Sequence, residues 1–313
     1  MQRDQLSKVS IVMSTYNGAR YIRQSIDSCL GQTYKNTQLI IVDDGSTDNT
    51  FEIVSSYKDP RMRYVKHNRN MGMPTALNTG FANANGDYLT WTSDDNFYAP
   101  DAITKLISFL ETQNCQFAYS DFYRFSDKNP SDFEILRLPD IPDLENKNCI
   151  GPCFLYSRNV HETVGEYDPD TFLAEDYDYW IRVSKTYSMH HLPEPLYYYR
   201  THPQSLTTLK SREVKMMDIL VRLKNDLLDA EHAAILLLNL TSSKYPSCFG
   251  ANKVLMNIMF WRKIIRVTKD LEAGKMHLGE ARSILGNVVT GDSLFSRDGK
   301  ILRTLKVQPK PRV

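Results

Sequence analysis

The sequence predicts an α/β fold: a mixed sheet flanked by helices, followed by a helical C-terminal region. Three observations carry that expectation. Short apolar runs alternate four times with amphipathic segments between residues 9 and 110, the pattern of parallel strands covered by helices. The alternation breaks after Leu110, where further short runs imply added, partly antiparallel strands. From about Ser211 the apolar residues recur only at helical spacing.

Taken in order, residues 9–13 are a buried strand that ends in the polar turn Ser14-Thr15-Tyr16-Asn17-Gly18. Tyr21, Ile22, Ser25, Ile26, Cys29 and Leu30 then recur at helical spacing over 19–30. Residues 39–42 form a second strand stopping at Asp43-Asp44-Gly45-Ser46-Thr47-Asp48, where Thr47 or Asp48 is placed to cap a helix through Phe51 and Val54. A strand over 62–66, a helix over 74–84, a strand over 88–92 and a helix over 100–110 complete the alternation. Residues 116–120, 133–138 and 153–157 read as further strands. Glu175 and Asp176 then open an amphipathic helix through Tyr179, Trp180 and Val183, where negative charge suits the helix dipole. Residues 196–199 read as a strand running into Arg200-Thr201-His202.

Four helical segments follow, over 214–228, 233–240, 254–265 and 278–288. The third sets Arg262, Lys263, Arg266 and Lys269 beside Met256, Met259, Phe260 and Trp261. Such a stripe packs on the preceding domain or a second subunit, or lies on a membrane surface. Self-association or peripheral membrane contact is therefore expected of this region, and the tail over 306–313 is expected to be loose. The expected organisation is a sheet domain over 1–208, with halves meeting near 97 and 98, and a helical region over 209–313.

Bulk properties narrow the class. A hydrophobic content of 42% and a charged content of 24% suit a globular chain with a sizeable core. The formal net charge of +1 supplies no field for nucleic acid or an anionic surface. The five cysteines are scattered, and Cys149 and Cys153 fit neither a redox pair nor a zinc knuckle, so reduced thiols are expected. Residues 1–8 lack the apolar stretch of a signal peptide, and no run reaches membrane-spanning length. The expected location is cytoplasmic, with any membrane contact peripheral to the inner face.

In parallel sheets ligands gather beyond the carboxyl ends of the strands. Four polar clusters fall at those ends: Thr15-Tyr16-Asn17, Asp43-Asp44, His67-Asn68-Arg69-Asn70 and Ser93-Asp94-Asp95-Asn96. Asp94 and Asp95 cannot both ionise cheaply side by side. A divalent hard cation removes that cost, because carboxylate oxygens are its preferred ligands, and it can grip a diphosphate in turn. The competing role is a helix cap before Ala99-Pro100-Asp101. Convergence of four polar strand ends on one rim favours the ligand site. The turn after the first strand has one glycine, so neither a dinucleotide fingerprint nor a Walker loop holds the phosphates.

The ordered set of motifs over roughly residues 8–207 resembles family-two glycosyltransferases of the GT-A type, with a Rossmann-like mixed sheet. Val9-Ser-Ile-Val-Met-Ser-Thr-Tyr-Asn17 and Ile40-Ile-Val-Asp-Asp-Gly-Ser-Thr-Asp48 resemble its opening signatures. Asn70-Met-Gly72, Ala76, Asn78, Gly80 and Gly86 match its third helix, Ser93-Asp94-Asp95 its metal acids, and Gly165 with Glu175-Asp176 its acceptor segment. The resemblance implies inverting transfer from a nucleotide-sugar donor, most readily UDP-linked, to a hydroxyl of a glycan, lipid-linked or protein acceptor, with Mn2+ or Mg2+. It implies Asp176 as base with Glu175 its neighbour, and Asp95 as metal ligand with Asp94 on the ribose or a metal-bound water. It places Thr15, Tyr16, Asn17, Asp43 and Asn78 on the donor; Arg69 and His202 are candidate diphosphate contacts, His202 also a second-line metal ligand, and Arg200 a further candidate site residue. Many members carry an acid where this chain has Thr92. A sugar-1-phosphate nucleotidyltransferase and a non-catalytic nucleotide-sugar-binding module are the alternatives; the former wants a Gly-rich basic loop that residues 14–20 do not supply.

Overall fold

The computed structural model describes residues 7–242 and 252–290. The chain divides into two compact units, Met1–Leu209 and Lys210–Val313. The first opens with β1 (Val9–Thr15), α1 (Ile22–Leu30), β2 (Thr37–Asp43), α2 (Thr50–Ser55), β3 (Met62–Lys66), α3 (Met73–Ala82) and β4 (Tyr88–Ser93). It continues with β5 (Phe97–Tyr98), α4 (Ala102–Gln113), β6 (Phe117–Ser120), β7 (Phe122–Ser126), β8 (Asn129–Leu136), β9 (Phe154–Ser157) and α5 (Arg158–Val164). A 3-10 turn (Pro169–Thr171), α6 (Glu175–Ser184), β10 (His190–Leu192), β11 (Tyr197–Thr201) and α7 (Leu206–Leu209) complete it.

Among the described residues the strands form a seven-stranded sheet, ordered β10-β6-β9-β4-β1-β2-β3, and a four-stranded one, ordered β5-β11-β7-β8. The first four strands run parallel, as their apolar runs and helical crossovers require. β9 inserts antiparallel to both β4 and β6, which makes the large sheet mixed. Parallel pairing of β1 with both neighbours sets Thr15 opposite Asp43 and Ser14 opposite Ser93. The carboxyl ends of β2 and β4 therefore flank the end of β1.

β5, β7, α5 and β10 were not anticipated by periodicity. β7 follows β6 after one residue, Asp121, so the two strands read as one segment. What separates them is tertiary. Asp121 is buried and accepts from the Leu138 backbone N–H (2.8 Å), from Arg137 Nη1 (2.7 Å) and, across 2.8 Å, from His191 Nε2. This anchor marks where the chain leaves the large sheet for the small one. The acidic pair does not cap the following helix: β5 intervenes, and α4 starts only at Ala102.

The second unit holds α8 (Ser211–Lys224), α9 (Ala230–Ser242), α10 (Asn252–Glu272) and α11 (Leu278–Thr290). Its core gathers Met217, Leu220, Ala233, Leu237, Ile264 and Leu285, all buried. α8 ends at Lys224 rather than running to 228, and Asp226 turns the chain in the left-handed region. The side chains at 252–261, including the methionine and aromatic members of the stripe, and the tail lie outside the described residues. No described helix is long and apolar enough to cross a membrane.

α3 packs on the sheet through Gly80, where an added Cβ would lie 2.2 Å from Val12 Cγ1. Gly80→Val is expected to lower stability by about 2 kcal/mol through overpacking, measured as the shift in the urea midpoint at constant m-value.

Candidate active site

The carboxyl ends of β1, β2 and β4 carry four carboxylates in two chemically different situations. Asp43 and Asp44, at the end of β2, are fully partnered. Asp43 is buried; its Oδ1 accepts from the Ser46 N–H (2.7 Å) and its Oδ2 from the Tyr64 hydroxyl (2.5 Å). Asp44 accepts from the backbone N–H groups of Met71 (2.9 Å) and Gly72 (2.8 Å) and contacts His67 Nδ1 at 2.7 Å. Gly45 adopts φ +83°, and a Cβ there would meet the backbone of Arg69 at 2.6 Å. These contacts lay the loop after β3 against the end of β2, leaving Tyr16 and Met71 half exposed and Arg69 exposed on the rim.

Asp94 and Asp95 are poorly compensated by comparison. Asp94 Oδ2 accepts from the Thr15 hydroxyl at 2.5 Å and sits where a Gly18 side chain would be, since a Cβ there would come within 2.0 Å of it. Burial, and then the charge of Asp95, push the Asp94 carboxyl up to about 7, against the Thr15 hydroxyl and the Tyr16 N–H that favour its ionised form. Asp95 Oδ2 lies 3.0 Å from His202 Nε2, while its Oδ1 is buried without a hydrogen-bond partner, as is His202 Nδ1. A buried carboxylate oxygen left open in this way is costly unless something fills it.

The Asp95 loop is held from behind by Arg200. Its Nε donates to the Asp95 carbonyl (2.9 Å), Nη1 to Asp127 (2.9 Å) and Nη2 to Gln24 (2.6 Å), and its guanidinium lies between the rings of Tyr21 and Phe125. The Tyr21 hydroxyl also donates to Asp127, and its ring packs on His202. Arg200, a candidate site residue from the sequence, is thus buried and holds the backbone of Asp95. Three other residues expected on the donor also make contacts within the protein. Asn17 Oδ1 accepts from the Thr47 N–H, tying two rim loops together. Asn78 exchanges two hydrogen bonds with the Tyr167 backbone (2.7 and 2.8 Å). Asp43, being sealed, holds its own loop.

Asp176 stands in the first turn of α6. Below it, Trp180, Tyr179, Tyr167, Tyr156, Phe154 and Phe117 pack ring on ring against the sheet, which fixes the helix. Leu173, just before the helix, has φ +82°, a conformation that a branched side chain resists. Glu175 is buried, and its Oε2 accepts from the Leu173 N–H at 2.7 Å; it fastens this turn. Asp176 Oδ1 accepts from the Tyr177 N–H and Oδ2 from Asn148 Nδ2, each at 2.8 Å. Burial holds the Asp176 carboxyl above the usual carboxylate range. The phenol of Tyr199 in β11 is raised chiefly by burial and further by the charges of Asp95 and Asp176. Asn148, Tyr199, Asp127 and Tyr21 escaped sequence reading because each joins the site from a different element, with no shared spacing to mark it.

A divalent cation fits this chemistry in part. Asp95 Oδ1 offers an open, buried oxygen, with Asp94 beside it and the His202 imidazole behind. Among the described residues no cluster of three or more carboxylate, imidazole or thiolate ligands is assembled. A cation here would draw its remaining ligands from water and a phosphate-bearing substrate, as Mg2+ and Mn2+ sites commonly do.

Fold and site together define an α/β protein with carboxylates gathered at the carboxyl edge of its sheet. Residues 10–165 match the family described as "Glycosyl transferase family 2". The chain is 31% identical over 225 residues to an "uncharacterized glycosyltransferase" of Rickettsia typhi, covering 68% of this chain and 70% of that protein. It is also 31% identical over 214 residues to the Escherichia coli UDP-Glc:alpha-D-GlcNAc-diphosphoundecaprenol beta-1,3-glucosyltransferase WfaP, covering 66% of this chain and 82% of that one. Further Rickettsia relatives are matched over only 30–32% of their own length. Among solved structures, Staphylococcus aureus TarS 1-349 in complex with UDP-GlcNAc shares the fold with a TM-score of 0.58 at 14% identity, covering 91% of this chain and 92% of that one. The chain belongs to glycosyltransferase family 2, and its sheet is of the GT-A type.

Because folding raises the Asp94 carboxyl from 3.8 to about 7, the folded state binds this proton more tightly than the unfolded chain. Its contribution is full below the ordinary carboxylate range and is lost as pH rises through about 7. In metal-free buffer at about pH 8, Asp94→Asn is expected to raise Tm by about 2 °C or more, with the gain vanishing at about pH 4. An equal effect at both pH values in differential scanning fluorimetry would contradict this electrostatic account.

Proposed function

We propose that the chain moves a sugar, with inversion, from a nucleoside diphosphate donor to an acceptor hydroxyl. The observation that carries the reading is Asp95 with an open buried oxygen, in a chain that also holds Asp176 in the first turn of α6, its carboxyl raised by burial. Asp176 takes the acceptor's proton as its oxygen bonds to the anomeric carbon. The bond to the diphosphate oxygen breaks on the opposite face, and the nucleoside diphosphate leaves with the electron pair. Displacement from the opposite face inverts the configuration. A raised carboxyl is better matched to this general-base step than an ordinary one.

Asp95, with Asp94 and His202, would hold Mn2+ or Mg2+, which when bound neutralises charge developing on the leaving diphosphate. Thr15 and Asp94 line the approach from β1, and the exposed Tyr16 and Arg69 are placed to meet the nucleotide. A UDP-sugar and a lipid-linked or glycan acceptor are supported by the WfaP relative, which acts on a diphosphoundecaprenol-linked sugar. Membership of a glycosyltransferase family removes the grounds for the nucleotidyltransferase and non-catalytic alternatives.

Asp176→Asn is expected to reduce transfer by about 10²–10⁴-fold while leaving UDP binding by calorimetry near that of the unaltered protein. Asp95→Ala should instead abolish the Mn2+-dependent rise in Tm and weaken UDP binding. Undiminished transfer by Asp176→Asn would remove the base assignment.

A further inference from the structure

The segment from Arg137 to Gly151 is tied down at both ends. At its start, Arg137 and the Leu138 N–H are held by Asp121, and Asp140 is held through His191, whose two ring nitrogens each lie 2.8 Å from a carboxylate. At its end Gly151 takes φ +71°, and a Cβ there would lie 2.9 Å from Leu138, so the two ends of the loop touch. In between, Leu144 is buried and its carbonyl accepts from the Tyr177 hydroxyl (2.8 Å), a residue of α6 next to the base. Cys149 and Ile150 are buried as well. Asn148 is therefore delivered to a set place rather than carried on a free tip.

That place is the carboxylate of Asp176. Oδ1 accepts from the first-turn N–H of Tyr177, a backbone contact within the helix, and Oδ2 accepts from the Asn148 side chain, each at 2.8 Å. A carboxylate oxygen has a second lone pair, which leaves room for one incoming hydroxyl proton. We propose that Asn148 is a positioning residue for the base: its amide fixes the plane of the Asp176 carboxylate, selects the free lone pair of Oδ2 and favours the proton-free form. The inference rests on the base role proposed above for Asp176.

Other titratable groups lie near Asp176. Tyr167 and Tyr199 are both raised above the ordinary tyrosine range by burial and stay neutral where a carboxylate titrates. Glu175, on the same helix, is committed to the Leu173 N–H. Burial opposes ionisation of Asp176, and the Asn148 amide is the foremost counterweight.

The test is a pH titration with two readouts. In the full-length chain labelled with ¹³C-aspartate, the Asp176 carboxyl is assigned by its loss in Asp176→Asn. It should titrate about one pH unit higher in Asn148→Ala than in the unaltered protein, the size expected for losing one hydrogen bond to a charged group. Asn148→Asp keeps the shape of the side chain and should move it at least as far upward. The acid limb of sugar transfer from UDP-sugar should shift in parallel, so that the loss in Asn148→Ala is about tenfold on the acid limb and shrinks as pH rises. An unshifted ¹³C titration in both variants would overturn the proposal. Absence of sugar transfer by the unaltered protein would instead count against the transferase chemistry, without touching the carboxyl titration.

Discussion

The mutual repulsion of Asp94 and Asp95 at the end of β4 is the constraint around which the rim of the sheet is built. Each neighbouring element answers part of it. β1 brings the Thr15 hydroxyl and the Tyr16 N–H to Asp94, and Gly18 leaves the space that carboxylate occupies. β11 sends Arg200 under the Asp95 carbonyl and His202 against its side chain. What remains unanswered is Asp95 Oδ1, buried and open. A rim so heavily organised around one uncompensated oxygen is arranged for a ligand that brings positive charge or donors with it.

The acids of β2 show what fuller compensation looks like. Asp43 and Asp44 spend their oxygens on backbone N–H groups, the Tyr64 hydroxyl and His67. Two Asp-Asp pairs of the same composition thus do different work. The first welds loops into a rigid wall, and the second is left reactive.

The acceptor side obeys the same logic with different materials. An aromatic stack seats α6, Glu175 fastens the strained turn at Leu173, and a loop closed on itself presents Asn148 to Asp176. Rigid apolar packing below and a few polar contacts above hold a carboxylate that burial would otherwise neutralise. Tyr199, itself buried in β11, feels the charges of both Asp95 and Asp176, and in such surroundings a charge has more effect than in water.

Much of this was legible in the chain by itself. Apolar runs of strand length, separated by helical stripes, determined the parallel core from β1 to β4, because buried parallel strands need both faces covered. The polar residues at their ends marked the rim, and Asp94, Asp95, Glu175 and Asp176 were found there as acids at strand and helix ends. Tertiary structure alone decided which of them are satisfied. Asn17, Asn78, Asp43 and Arg200 were read as site residues, and the fold shows contacts that no spacing announces: Asn17 Oδ1 with Thr47, Asn78 with Tyr167, Asp43 with Ser46 and Tyr64, and Arg200 with Asp127 and Gln24. Asn148 bore no mark at all and became the partner of the base. Periodicity reports which face of an element is buried, and that property is local. Whether a polar atom has a partner depends on residues tens of positions away, and only the folded chain brings those together.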